Sequence, residues 1–249
     1  MPLPDSLLAE VNNELITDGF AMIEGLIAPS EVAHFSRLAD AIETLEWRTL
    51  PGRTQFAVRD VQLRSPELAM AVGDSSLMDL ARRILGPRVQ PVGAILFDKP
   101  IGANWKVPPH QDLFIPVKQQ MDVPGYSGWC MKQGVQYVSP PDNVLREMLA
   151  FRIHLDPCPA DAGALRVIPG SHTQRLRSTD WSASSAEDFR VCEAEAGDCL
   201  LMRPLLIHRS NTASNPVRRR VLHVLLTGRN LSGGLELTWP KSDESIVPS

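Results

Sequence analysis

From about residue 89 onward the sequence is a succession of short apolar runs broken by glycine and proline. Val89 to Asp98 leads in, and further runs follow at 110–117, 149–156, 163–168, 190–194, 198–208 and 218–228. Several short strands at this spacing, with turn residues between them, predict an all-β core, a sandwich or barrel. The N-terminal part has the other period. Leu7, Leu8, Val11, Leu15 and Ile16 fall at helical spacing behind Asp5 or Ser6 as a cap, and Asp18-Gly19 ends that helix. Phe20 to Ile27 reads as a strand, and Pro29 opens a second helix running to about Glu46. Residues 48–64 are polar and irregular, and Ser75 to Leu85 is an amphipathic helix stopped by Gly86-Pro87. These helices carry no cluster of reactive groups and are expected to cover the sheet.

A chain of 249 residues is long enough for one large domain. The expectation is a single domain over 1–249, with a helical part at about 1–88 and a β core at about 89–230. A lid-like insertion is expected at about 118–148. There Gln119-Gln120, Pro124-Gly125-Tyr126-Ser127-Gly128-Trp129 and Pro140-Pro141-Asp142 are too rich in turn formers for continuous sheet. Net charge is -4, and the longest basic block is Arg218-Arg219-Arg220, so no nucleic-acid partner is expected. Cys130, Cys158, Cys192 and Cys199 form no Cys-x-x-Cys pair, which argues against a structural zinc or a redox dithiol and for reduced thiols in the cytoplasm. The first residues have no signal-peptide pattern, and no apolar stretch is long enough to span a membrane. Oligomeric state is not legible in the sequence.

Within the β region one triplet stands out, His110-Gln111-Asp112 in Trp105-Lys106-Val107-Pro108-Pro109-His110-Gln111-Asp112-Leu113-Phe114. If extended, it puts the imidazole and the carboxylate on one face and Gln111 on the other. That is two thirds of a 2-His-1-carboxylate facial triad, the arrangement that holds non-haem Fe(II) with its other side open. The third ligand must be a later histidine. His34, His154 and His172 read as structural residues. His208 sits at the mouth of the run Cys199 to Ile207, with Ser210 on the same face, and reads either as a ligand or as a satisfied core histidine. Farther on, Arg218-Arg219-Arg220 runs directly into the apolar segment Val221 to Leu226. An arginine that enters a core needs an anionic partner, and a carboxylate held by two hydrogen bonds satisfies it. A solvated strand end accounts for two of the three arginines better than for all three.

The order of these residues resembles the phytanoyl-CoA dioxygenase family of Fe(II)/2-oxoglutarate oxygenases. The resemblance is carried by His110-x-Asp112, by Gly163-Ala164-Leu165-Arg166-Val167-Ile168-Pro169-Gly170-Ser171-His172, and by Gly197-Asp198 leading through Arg203 to Ser210 and on to Arg219. It implies a double-stranded β-helix, a jelly-roll or cupin-like barrel with helices outside and a metal at its open end. It implies that His110, Asp112 and His208 bind Fe(II), and that Arg219, beside Ser210, grips the distal carboxylate of 2-oxoglutarate. Alternation puts Arg219 on one face with Val221 and His223, and Arg218 and Arg220 on the other. Arg152 stands where the family often has an aromatic residue, as a second anion contact or as a charge aimed at the primary substrate. Asp112 favours hydroxylation or a related oxidation over the halogenation of relatives that have a small residue there.

The implied activity consumes O2 and 2-oxoglutarate, releases succinate and CO2, and hydroxylates an unactivated C–H bond of a small or medium-sized organic substrate. Trp105, Lys106, Trp129, Met131, Lys132 and Arg152 are candidates for its entrance, and their cations leave open that the substrate is anionic. Two other readings are a cupin-like isomerase or hydrolase using another divalent metal, and a ligand-binding barrel without turnover.

Overall fold

The computed structural model describes residues 3–46, 57–99, 105–176, 188–215 and 217–240. Part of the irregular 48–64 stretch and the last residues of the chain lie outside them. Helix α1 (Asp5–Thr17) buries Val11 and Leu15; its cap position is Pro4, and Asp5 lies in the first turn instead of capping it. Gly19, at φ +83°, ends it against His172, whose ring would stand 2.3 Å from an added Cβ. Only glycine fits that corner. Strand β1 (Phe20–Ile23) is shorter than the expected run to Ile27, and α2 (Pro29–Glu46) follows it.

Next come β2 (Ala57–Arg59), α3 (Val61–Arg64), α4 (Pro66–Gly73) and α5 (Ser76–Leu85). The sequence pattern gives no hint of α3 and α4. Ser65 caps α4 through Leu68 N–H. The β core then runs β3 (Gln90–Lys99), β4 (Val107–His110), β5 (Ile115–Val117), β6 (Ser127–Lys132) and β7 (Val135–Ser139). After α6 (Asp142–Leu145) come β8 (Met148–His154), β9 (Leu165–Val167), β10 (Arg190–Cys192), β11 (Cys199–Met202), β12 (His208–Ser210) and β13 (Arg219–Thr227).

These strands form a six-stranded sheet, β1-β11-β8-β13-β3-β2, a four-stranded sheet, β10-β9-β12-β4, and a three-stranded sheet, β5-β7-β6, with every pairing antiparallel. The layout is that of a double-stranded β-helix whose sheets do not close into a continuous barrel. One face of the large sheet, with Leu96, Leu149, Phe151, Ile153, Leu201, Leu222 and Val224, packs against helix residues such as Val11, Leu15, Phe35, Leu77 and Leu80. The other face, with Ala150, Leu200 and Met202, packs against Leu165, Val167, Ile115 and Val138 of the smaller sheets. Because both faces are covered, β8 and β13 read as near-continuous apolar runs. Fully burying one such leucine or phenylalanine contributes about 1.5–3 kcal/mol.

One expectation is corrected. The apolar run 198–208 is two strands, not one, because Pro204 has no amide to donate and the chain turns at Arg203–Leu206, crossing from the large sheet to the four-stranded one. Within the turn-rich 118–148 stretch, β6 and β7 form a hairpin closed by Gln133 and Gly134, both at positive φ, as a two-residue turn of the primed type requires.

Candidate metal centre and its cavity

His110 closes β4, His208 opens β12, and the two are direct cross-strand partners with ring centroids 4.1 Å apart. Each ring holds Nδ1 2.9 Å from a carbonyl two residues earlier, that of Pro108 for His110 and that of Leu206 for His208. A carbonyl only accepts, so each Nδ1 carries the proton and each Nε2 presents a lone pair. Asp112 comes off the turn after β4, so the expected strand through it ends early. Its amide donates to the carbonyl of Pro204 at 2.8 Å, fixing the turn. Gln111 points the opposite way, donating to the carbonyls of Leu205 and Gln174 and accepting from the amide of Leu176. The alternation read from the sequence therefore survives the loss of the strand.

Asp112 Oδ1 lies 3.7 Å from His110 Nε2, and Oδ2 lies 3.7 Å from His208 Nε2. Ligand atoms of these three residues all fall within 4.8 Å of one another, the one such group among the described residues. Burial pushes the Asp112 carboxyl up, but His208, His223, His110 and Arg152 outweigh it and hold the group at about 2. Burial lowers His208 to about 3 against the pull of Asp112. Near neutral pH the site thus offers a carboxylate and a neutral buried imidazole, the states that metal binding needs. Two imidazole nitrogens and one carboxylate oxygen on one side of an open cavity fit Fe(II).

The trio faces a cavity of about 400 Å³. Arg219 lines it at the start of β13, with Nη1 donating to the carbonyl of Gly163 at 2.6 Å and to Cys158 Sγ at 3.1 Å. Its Nε is buried with no partner among the described residues. Arg218 and Arg220 point to the other face, where Arg218 pairs with Asp98 and Asp40, and Arg220 with Asp156 and Asp40. So two of the triplet are matched by carboxylates outside and one is left inside, on the cavity that the buried Ser210 also lines. Arg152 also lines the cavity from β8; its Nη1 donates to His223 Nδ1 at 3.2 Å, its guanidinium stands 5.1 Å from the Phe97 ring centre, and its Nε too lacks a partner among the described residues. Burial and then the charge of Arg219 lower it to about 10.

His223 is the residue that sequence reasoning left without a role. It accepts from Arg152 through Nδ1, so its proton sits on Nε2, 3.9 Å from Asp112 Oδ2. Lys99, Phe97, Arg59, Asp60 and Tyr137 line the cavity as well and had no distinguishing signal. Period-2 alternation along β3 would group Phe97 with Lys99, but not say which face looks inward. Of the six entrance candidates, Trp105, Lys132 and Arg152 line the cavity. Lys106 and Met131 are exposed, and Trp129 packs on the inner core. His34 is exposed beside Arg37, while His154 is buried in β8, lowered to about 4 chiefly by burial.

Fold and site together define the class, a double-stranded β-helix enzyme of the non-haem iron, 2-oxoglutarate-dependent kind. The chain belongs to the phytanoyl-CoA dioxygenase family, whose model matches residues 16–221. No curated protein matches it. Among solved structures it is similar to the non-haem, α-ketoglutarate-dependent epimerase SnoN from nogalamycin biosynthesis, at TM-score 0.65 and 17% identity over 90% of this chain and 84% of that one. EctD from S. alaskensis, solved with 2-oxoglutarate and 5-hydroxyectoine, gives 0.65 and 19% over 91% and 77%. HygX from Streptomyces hygroscopicus, solved with nickel and 2-oxoglutarate, gives 0.61 and 15% over 91% and 88%. At these identities the likeness speaks for the fold. No helix among the described residues is long and apolar enough to cross a membrane.

Proposed function

We propose that the chain is a cytoplasmic, single-domain oxygenase that binds Fe(II) through His110, Asp112 and His208 and 2-oxoglutarate through Arg219, Ser210 and Arg152. Its reaction is hydroxylation of an unactivated C–H bond in a small or medium-sized organic molecule. One observation carries this reading: a His-Asp-His trio with both imidazoles oriented by carbonyls opens onto a cavity whose buried arginines, Arg219 and Arg152, keep donors that no group among the described residues satisfies. The four free cysteines support the reducing compartment.

When bound, iron with 2-oxoglutarate and O2 supplies the oxidising power, with succinate and CO2 as co-products. The chain supplies placement. His110 and His208 each contribute Nε2, held by the Nδ1–H···O=C bond behind it. Asp112 brings the negative charge, with His223 and Arg152 on its flank. Arg219 offers its free Nε–H and Ser210 its hydroxyl to a distal carboxylate, and the guanidinium fork fits that group. Arg152 feels the charges of both Arg219 and Asp112, which supports a co-substrate contact over a role at the entrance. The hairpin β6–β7 brings Lys132 and Tyr137 to the cavity, supporting the 118–148 stretch as a wall of the site.

The test is anaerobic loading with Fe(II) and 2-oxoglutarate, addition of a metabolite extract, admission of oxygen and product profiling by mass. Hydroxylation adds one oxygen atom, ring closure or desaturation removes two hydrogens, and epimerisation leaves mass unchanged. Retention of Fe(II) and succinate formation by both His110→Ala and Asp112→Ala would defeat the assignment.

A further inference from the structure

The inner face of the large sheet carries a second cationic group that the metal and the keto acid leave unused. Along one cross-strand row, Arg59 of β2 is the partner of Ile95 of β3, Ile95 of His223 of β13, and His223 of Arg152 of β8. Direct partners share a face, so Arg59 and Arg152 flank the site from opposite ends of a row three strand spacings long, roughly 14 Å. Arg219 lies on Arg152's side, opposite Lys99 of β3. Arg59, on the edge strand, is on the other. Across from it the β6–β7 hairpin delivers Lys132, whose Nζ stands 4.4 Å from the Phe114 ring centre and 4.7 Å from that of Tyr137. Both Arg59 and Lys132 line the cavity.

Neither has a carboxylate within ion-pair reach among the described residues. The adjacent acid, Asp60, is already used: its Oδ2 accepts from Tyr137 OH at 2.7 Å and its Oδ1 from Gln62 Nε2 at 3.5 Å. Asp60 sits in the left-handed region at φ 53°, a conformation that costs a non-glycine residue energy and that gathers at functional sites. Here it turns Asp60 into the Tyr137 bond while its neighbour Arg59 faces the cavity. Burial and the charge of Arg59 both lower the Lys132 ammonium, as expected of two cations facing one space. Lining charges at the cavity are Arg59, Lys99, Lys132, Arg152 and Arg219 against Asp60 and Asp112. The charges of Asp60 and Asp112 reach Lys132, but two carboxylates stand against five cations, so with iron added and a keto-acid dianion bound at Arg219 the excess of positive charge remains.

We propose that the primary substrate is an organic oxyanion, a carboxylate or phosphate ester, whose acidic group is held by Arg59 and Lys132 while its carbon skeleton lies along Phe114 towards the metal. This rests on the reading of the trio as an Fe(II)/2-oxoglutarate centre. An arginine fork beside a ring-held ammonium suits an oxyanion and gives no such match to an uncharged molecule.

The test uses the full chain loaded with Ni(II) and saturated with 2-oxoglutarate, so that the Arg219 end is filled. Calorimetry is run against matched probes: straight-chain and phenyl-substituted carboxylic acids with their primary amides, and the corresponding phosphate monoesters with their alcohols. At least one acid or phosphate is expected to bind about tenfold or more tightly than its neutral partner. Arg59→Met and Lys132→Met should each weaken that probe by about tenfold, with 2-oxoglutarate affinity held within about threefold, while Arg59→Lys and Lys132→Arg keep most of the binding. Which probe class wins tells carboxylate from phosphate. Amides or alcohols binding as well as their acids, a panel with no binder, or acid binding indifferent to both methionine variants overturns the proposal. Failure of the wild-type chain to bind 2-oxoglutarate at all would instead defeat the reading of the centre. Unchanged far-ultraviolet circular dichroism and thermal midpoint separate lost recognition from lost folding.

Discussion

At the residue scale, chemistry follows from which side chains are left with unused bonding capacity. Arg218 and Arg220 satisfy theirs with Asp98, Asp40 and Asp156, whereas Arg219 Nε finds no partner among the described residues. Under the proposed assignment Arg219→Met is expected to raise the KM for 2-oxoglutarate by about tenfold or more, with Fe(II) binding intact. Arg219→Lys should rescue it only partly, because an ammonium cannot reproduce the fork; steady-state succinate assays and metal analysis check both. Removal of His208 acts on another quantity: His208→Ala should release the metal, with turnover falling to background. The roles proposed for Arg219 and His208 came from the order of motifs that resembles the family, and Arg219 was marked besides because an arginine is costly to bury unpaired. That of His223 was not, since its significance lies in facing Asp112 and Arg152, which come from other strands.

At the element scale, the crossing between β11 and β12 holds the site together. The carbonyl of Pro204 takes the Asp112 amide and that of Leu205 takes Gln111, so one turn positions the carboxylate and, three residues on, delivers His208. Gln111→Leu would leave the buried carbonyl of Leu205 and the amide of Leu176 without their side-chain partners. A loss of about 1–3 kcal/mol of stability is expected, read by urea unfolding, together with weaker metal affinity. Gly163 plays a similar part at the other end. It sits at φ +80°, its carbonyl takes the Arg219 guanidinium, and an added Cβ would stand 2.8 Å from the Asn211 carbonyl and 3.2 Å from Lys99 Nζ. Gly163→Ala is therefore expected to raise the KM for 2-oxoglutarate more than it lowers metal affinity. Its glycine was visible in the sequence motif; its task was not, because the arginine it serves is far along the chain.

At the scale of the whole molecule, the inner face of the large sheet is apolar in one part and ionisable in another, and burial sets the response to acid. His154, His208 and His223 are lowered to about 4, 3 and 4, chiefly by burial. An imidazole whose folded pKa lies below its ordinary value near 6.5 binds fewer protons folded than unfolded. Its contribution is therefore complete above about pH 6.5 and is lost as the pH falls from there towards about 4. Each such group removes at most about 1.4 kcal/mol per pH unit in that window. Metal-free protein should lose stability steeply between about pH 6.5 and 4 in urea titrations. His154→Gln should flatten that slope by about one proton's worth, and saturation with metal should resist the loss.

What the sequence determined by itself was the β core, from its short apolar runs, the covering helices α1, α2 and α5, from their period, and the family, from the order of His110-x-Asp112, Gly163 to His172, and Gly197 through His208 to Arg219. These are local patterns, or an order along one line, and a sequence carries both directly. The tertiary structure decided the rest. Pro204 turns one apolar run into two strands of different sheets, and the pairing of β12 with β4 sets His208 opposite His110. The row from Arg59 to Arg152 exists only through the register of four strands. Register and sheet-switching depend on contacts between residues distant in the chain, so no local period records them. The sequence thus marked which residues were too costly to bury without a partner, and the fold decided which cavity they share.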